Sequence, residues 1–141
     1  MCLATVNEGK PPVKHMWKFF LQVEGELFTP RWGDDPIPTK TLIKANDFRP
    51  AGYMTRNLLI ADDYTRYLNG WHGYRTRAAV RIAVREYKRR PMRKIGAVVV
   101  RKCLCFGEQV QGPNGRDSWA VMEDTVVSEE MIVCDAKGRS V

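Results

Sequence analysis

The apolar positions near the start of the chain fall into two short segments separated by a glycine turn. Residues 16–23 and 27–29 are rich in aromatic and aliphatic side chains, and Glu24-Gly25-Glu26 lies between them. Two apolar segments joined by a short turn that contains glycine are typical of a β-hairpin. An earlier apolar segment, residues 2–6, ends at a group of turn residues and predicts a further strand.

A different period appears over residues 76–89. The apolar positions recur three and four residues apart, which places them on one face of a helix: Ala79, Val80, Ala83, Val84 and Tyr87. Thr76 is a favourable N-cap, and Pro91 cannot continue the helix. The pattern therefore predicts one main helix at about 76–89.

Strand patterns return after the helix. Residues 95–106 are apolar and β-branched, Gly107 ends that segment, and residues 109–111 can continue it after a bulge. Gly112-Pro113-Asn114-Gly115 predicts a turn. The final strands are predicted at 119–122 and 126–134.

The region before the helix is less regular. Prolines at positions 30, 36, 38 and 50 exclude long regular elements from residues 30–63, apart from a short strand at 40–45. The whole pattern predicts an α+β fold: a compact antiparallel sheet with one main helix and an irregular, proline-rich segment. The 141 residues are enough for one domain over 1–141, with a flexible tail at about 136–141.

The composition, 44% hydrophobic and 28% charged residues, is typical of a chain that buries a core and stays in solution. No apolar run approaches the roughly 18 to 20 residues of a membrane helix, and the first residues lack a signal-peptide pattern. We therefore expect a soluble, cytoplasmic protein.

The four cysteines, Cys2, Cys103, Cys105 and Cys134, do not form a disulfide framework or a Cys-x-x-Cys motif. The two histidines, His15 and His72, are far apart in the sequence. We expect reduced, buried cysteines and no metal site.

The distribution of charged residues adds a prediction about the binding partner. The net charge is +7, and basic residues are concentrated between residues 75 and 102, where Glu86 is the only acid. Four arginines lie four residues apart along one side of the predicted helix: Arg77, Arg81, Arg85 and Arg89. Because guanidinium groups suit bidentate phosphate contacts, this region indicates an anionic partner such as a nucleotide or a nucleic acid. The alternative is pairing with the acidic C-terminal segment, either internally or within a homo-oligomer.

The segment Gly70-Trp71-His72-Gly73-Tyr74-Arg75-Thr76 comes directly before the helix. Its glycines favour a turn that lets a ligand approach the backbone, and its aromatic rings offer stacking surface beside a histidine and an arginine. We therefore predict a ligand-binding set formed by Trp71, His72, Tyr74, Arg75, Arg77, Arg81 and Arg85. The alternative interpretation is a tight turn in which Trp71 and Tyr74 anchor the core.

The segment from Trp71 to Thr76 resembles the nicotinamide-binding Trp-His-Gly-Ser/Thr motif of ADP-ribosyltransferases. Ser128-Glu129-Glu130-Met131-Ile132-Val133 resembles the strand that carries the catalytic glutamate of that family. The resemblance implies an enzyme that uses NAD, with His72 as the nicotinamide-binding residue and Glu129 or Glu130 as the catalytic residue. Tyr87, on the predicted helix, is the only tyrosine between the two motifs, and the chain is short for that fold.

A second resemblance is to small uncharacterised proteins of phages and mobile elements, in which a Gly-Phe-His-Ala turn precedes a short helix. The motif Gly70-Trp71-His72-Gly73, the helix, the strand that ends at Gly107 and the segment 128–133 follow the same order in this chain. The resemblance implies a phage-type accessory protein in the cytoplasm of a host cell.

These observations favour a protein that binds and sequesters a phosphate-bearing ligand, such as a nucleotide signal, without turnover and without a cofactor, as a counter-defence factor. Three alternatives stay open: an ADP-ribosyltransferase-like enzyme that uses NAD, a nucleic-acid-binding protein, and an inhibitor of a host protein. An enclosed pocket would favour a nucleotide, whereas an open row of basic residues would favour a polymer.

Overall fold

The computed structural model describes residues 3–30, 35–48, 58–91, 96–115 and 124–141. Along these residues eight strands and one helix follow one another: β1 (His15–Val23), β2 (Glu26–Phe28), β3 (Leu42–Lys44), β4 (Leu58–Ile60), β5 (Arg66–Leu68), β6 (Trp71–Tyr74), α1 (Arg77–Arg89), β7 (Ala97–Pro113) and β8 (Asp124–Val133). A short 3₁₀ turn, Ala45–Phe48, follows β3. All strand pairs are antiparallel, which agrees with the predicted α+β class.

The main sheet closes on itself. Strand β7 pairs with both β1 and β8, because Cys103 aligns with Met16 of β1 and with Val133 of β8. Strand β6 also pairs with β1 and β8, through Tyr74 and its neighbours. The four strands therefore form a closed cycle, which β2 and β3 extend at β1 and β8.

The predicted first hairpin is confirmed as β1 and β2. Two residues connect the strands, Glu24 with φ of 52° and Gly25 with φ of 82°. Two successive left-handed residues give the turn a twist that matches the twist of paired strands, which is why this turn suits a two-residue hairpin.

The predicted helix is confirmed as well. The Thr76 hydroxyl accepts a hydrogen bond of 3.1 Å from the backbone N–H of Ala79, so Thr76 is the N-cap. The apolar face of α1 packs on the sheet against Phe19, Leu21 and Tyr74. Burial of this one face leaves the opposite face of α1 in solvent.

The bulge that the sequence placed after Gly107 is also present. The pairing of β7 with β8 shifts register between Phe106 and Gln109, and Gly107 has a φ of 76°. The Glu129 carboxylate accepts a hydrogen bond of 2.9 Å from the backbone N–H of Glu108. Strand β7 therefore continues past Gly107 with one extra residue, and Glu129 holds the bulge.

Two predictions about chain segments are wrong. Leu3 makes only an isolated bridge to Asn114, so residues 3–6 are not a strand. Gly112 and Pro113 belong to β7 and align with Thr125 and Asp124, so they are not a turn. Strand β8 supplies the backbone partners of Gly112 and Pro113. The early segment instead donates from Ala4 and Asn7 to carbonyls of β7. Local propensity cannot predict either set of distant partners.

The remaining predictions about chain segments have mixed outcomes. Within the segment predicted to be irregular, residues 30–63, the strand at 40–45 is confirmed as β3. Strand β4 also lies in that segment and forms a hairpin with β5, which no pattern predicted. The predicted strand at 119–122 lies outside the described residues, as do Cys2, Arg93 and Lys94.

The last residues form a turn around Asp135. Its carboxylate accepts hydrogen bonds from the backbone N–H groups of Arg139 and Lys137 and from the Arg139 side chain. These bonds hold the pKa of Asp135 well below its ordinary value, and the bond from the Arg139 backbone has the largest effect. Lys40 lies 3.4 Å from the same carboxylate, so the turn is attached to the segment before β3.

Within the described residues, no helix combines the length and the apolar character that crossing a membrane requires.

Candidate anion-binding surface

The outward face of α1 carries a row of arginines. Arg77, Arg81, Arg85 and Arg89 are all exposed. Residues four apart lie one above the other at a rise of about 6 Å, so the row extends over roughly 18 Å. We call these four residues the arginine row. It lies on a convex helix surface, as the sequence pattern predicted.

Within the described residues, little negative charge faces the arginine row. Glu86 lies 3.4 Å from Arg89, one turn away on the same helix. No acidic side chain of the described ranges pairs with Arg81 or Arg85. The described residues therefore leave most of the positive charge of the row unneutralised.

The acidic C-terminal segment is occupied elsewhere. Glu130 lies 3.6 Å from Lys44 of β3. Asp135 pairs with Lys40 and Arg139, and Glu129 accepts from the bulge backbone. The described acids of this segment thus neutralise charges near β3 and the C-terminus, and the alternative of internal pairing with the arginine row has no support among them.

An aromatic side chain lies at one end of the row. The guanidinium carbon of Arg77 is 4.8 Å from the centroid of the Trp17 ring, within the range of a cation–π contact. Trp17 aligns with Lys102 across the β1–β7 pair, so both side chains leave the sheet on one face. His15 packs edge-on against Trp17 at 6.0 Å. The basic surface therefore continues from α1 onto the sheet.

His15 belongs to this surface as a neutral group. Burial, and then the positive charge of Lys102, lower the pKa of His15 below its ordinary value of 6.5. Its imidazole consequently adds ring surface rather than charge near pH 7.

The predicted stacking residues Trp71 and Tyr74 are in the core. The segment 71–74 is not a turn but strand β6, held between β1 and β8. Trp71 is 7% exposed and Tyr74 is 1% exposed, and the Trp71 indole donates a hydrogen bond of 3.1 Å to the Ile43 carbonyl. Neither ring offers a face to a ligand, which agrees with the alternative in which both residues anchor the core.

His72 contacts the protein through both ring nitrogens. Its Nε2 lies 3.3 Å from the Tyr67 hydroxyl, and its Nδ1 lies 3.1 Å from the Gly70 carbonyl. The His72 carbonyl also accepts a hydrogen bond from the Lys18 amine. These contacts fix the imidazole within the fold.

The two glutamates of the predicted catalytic strand are placed by β8. His72 aligns with Val127, so β6 and β8 are neighbours in the sheet. Glu129 holds the bulge, however, and Glu130 faces Lys44. The structure thus places the two strands side by side, and His72, Glu129 and Glu130 each contact other groups of the protein.

Arg75 is exposed beside the N-cap Thr76 and is engaged in an interaction of its own. Of the predicted ligand-binding set, the structure brings Arg77, Arg81 and Arg85 together on one surface and separates them from Trp71 and Tyr74.

A groove of about 420 Å³ lies elsewhere, beside the bulge. It is lined by residues 6–10, Pro12, Gly107 and residues 109–111. None of the predicted ligand-binding side chains lines it, and the groove does not adjoin the arginine row. Among the described residues, no three side chains that could bind a metal lie together.

Sequence patterns did not single out Trp17, and they placed Lys102 only at the end of the basic region of residues 75–102. Both lie inside apolar strand segments, and their proximity depends on the register of β1 with β7. Their contact with Arg77 depends on how α1 docks on the sheet. No local signal in the sequence carries this information.

Comparisons with known proteins add no family assignment. No protein-family model matches this chain, and no curated protein or solved structure shows significant similarity to it. The resemblances to ADP-ribosyltransferases and to small phage proteins therefore stay predictions.

Proposed function

We propose that the protein binds nucleic acid through the arginine row of α1, without turnover. The observation that supports this most is the row itself: four exposed arginines on a convex helix surface, each about 6 Å further along the helix axis, with the described C-terminal acids engaged elsewhere. A nucleic acid presents phosphates at regular intervals, and basic side chains that neutralise them gain affinity by releasing counterions.

The open geometry favours a polymer over a single nucleotide. A pocket for a nucleotide encloses most of its ligand and stacks its base on an aromatic side chain. The two rings predicted for that role, Trp71 and Tyr74, are buried. The sequestering of a nucleotide signal by a phage-type counter-defence protein and the inhibition of a host protein stay predictions, and the experiment below includes the nucleotide as a competitor.

The experiment is a fluorescence-anisotropy titration of a labelled oligonucleotide at several salt concentrations. We expect the double variant Arg81→Glu/Arg85→Glu to bind at least about tenfold more weakly. The slope of log K against log salt should fall by about two in magnitude, because two phosphate contacts are lost. The matched control is Arg66→Glu/Lys137→Glu, which makes the same charge change at exposed positions outside α1.

Equal losses in both double variants would mean that only net charge matters, and this result would contradict a site on α1. Competition by a mononucleotide at stoichiometric concentration would support the nucleotide alternative instead. Incubation with NAD, in wild type and in Glu129→Gln and Glu130→Gln, tests the enzyme alternative, because transfer that either substitution abolishes would support it.

A further inference from the structure

Arg77 and Trp17 form a cation–π pair at the end of the arginine row. The guanidinium carbon lies 4.8 Å from the ring centroid. Trp17 is partly buried and packs against the core cluster beneath α1, whereas Arg77 is exposed. The ring is therefore held by the sheet, and its contact with the exposed Arg77 side chain places the guanidinium over the ring.

This arrangement differs from the rest of the row in what it offers a ligand. Arg81 and Arg85 extend from the helix as separate charges, which suit phosphates. A guanidinium fixed on an aromatic ring is a flat cationic surface, and such surfaces stack on unpaired nucleobases. Lys102 lies across from Trp17, so a positive charge adjoins the cation–π pair on the sheet side as well.

We propose that the outer face of Arg77 stacks on an unpaired base, so that the nucleic acid bound by α1 is single-stranded. This inference rests on the proposed function, because the phosphates of the same strand contact Arg81 and Arg85. Arg77 contacts the base directly, and Trp17 is a positioning residue. In a duplex the faces of the bases are covered by their neighbours and cannot reach Arg77.

The test compares three labelled probes of about 12 nucleotides: a single strand, the same strand as a duplex, and a strand of the same length whose central nucleotides are abasic. The abasic strand keeps the phosphates and lacks the bases. We expect the wild-type protein to bind the single strand about tenfold more tightly than the abasic strand and more tightly than the duplex.

Arg77→Lys keeps the charge and loses the planar group, so it should remove the preference for bases while affinity for the abasic strand changes little. Arg81→Lys is the matched control and should keep the preference. Trp17→Leu should behave like Arg77→Lys, and Trp17→Phe, which keeps an aromatic ring, should restore most of the preference. If Trp17 served folding alone, its substitution would not selectively remove the difference in affinity between the intact and the abasic strand.

Equal affinity of wild type for the abasic and the intact strand would overturn the inference, and so would an Arg77→Lys variant that keeps its preference for bases. Either result is still compatible with nucleic-acid binding by the arginine row if Arg81→Glu/Arg85→Glu weakens binding. Failure of the proposed function looks different, because no probe would then bind in a way that depends on Arg81 and Arg85.

Discussion

Lys18 of β1 lies directly opposite Arg101 of β7, with both side chains on the same face of the sheet. The two cations are partly buried. The Lys18 amine donates to the His72 carbonyl and lies 5.9 Å from the centre of the Phe20 ring. The Nε atom of Arg101 is buried and has no hydrogen-bond partner among the described residues. The partial burial of these two cations opposes folding, so the fold carries a local cost here.

The pKa of Lys18 shows the same cost. Burial lowers it from 10.5 to about 8, and the nearby thiols of Cys103 and Cys105 offset part of this shift. Because the native pKa is the lower one, the unfolded chain binds a proton between pH 8 and 10.5 that the native chain does not. The free energy of unfolding therefore rises with pH through this window. Below pH 8 Lys18 is protonated in both states, and its destabilising contribution is fully present.

Lys18→Met should consequently stabilise the protein at pH 7, by at most about 3 kcal/mol, and the gain should shrink towards pH 10. Urea unfolding of wild type and variant between pH 7 and 10 measures this. The difference between the two proteins isolates Lys18, because the cysteines titrate in both. Lys14→Met, at an exposed position, should change stability little; a gain that does not vary with pH would contradict the assigned pKa.

A second prediction concerns the bulge at Gly107. A Cβ atom there would lie 2.6 Å from Oε2 of Glu129, at a φ of 76° that disfavours any side chain. Gly107→Ala should therefore carry the backbone cost, about 1 kcal/mol, and also displace the carboxylate from the Glu108 N–H, for about 1 kcal/mol more.

Gly25→Ala is the matched control, because Gly25 has a φ of 82° and open space where a Cβ would lie. Chemical denaturation of both variants should place Gly107→Ala about 1 kcal/mol below Gly25→Ala. Equal losses would show that Glu129 does not hold the bulge.

The third prediction is low reactivity of the central thiols. Burial raises the pKa of Cys103 to about 12 and that of Cys105 to about 11. At pH 8 the native protein then holds roughly a thousandfold less Cys103 thiolate than an unperturbed cysteine would, and the thiolate is the reactive form.

Iodoacetamide labelling followed by peptide mass spectrometry should find Cys103 slow at pH 8 in native buffer and fast in urea. Similar rates in the two conditions would place this thiol at the surface. The described cysteines are free, as the sequence indicated, with Cys103 and Cys134 buried and Cys105 partly buried.

The elements that the sequence predicted correctly are those that local chemistry specifies. The Glu24-Gly25 turn needs two left-handed residues, and glycine adopts that conformation at little cost. The helix needs an N-cap and one apolar stripe, and Thr76 with the residues that follow provides both. Gly107 likewise indicated the bulge, because its positive φ is a local requirement.

The candidate surface was predictable only in part. The arginine row follows from helical spacing alone, since residues four apart share a face. Trp71 and Tyr74 have the residue types of a binding site, but whether an aromatic ring is exposed depends on what packs against it. Strand β6 lies between two other strands, so these rings became core while Trp17 came to lie beside Arg77.

The sequence by itself therefore determined the single amphipathic helix, its arginine row, the first hairpin and the bulge, because each depends on residues close together in the chain. Only the tertiary structure decided that β1, β7, β8 and β6 close into a cycle, that residues 112–113 extend β7, and that Lys18 faces Arg101. Those features depend on strand register between distant segments, and register is set by the packing of the whole core.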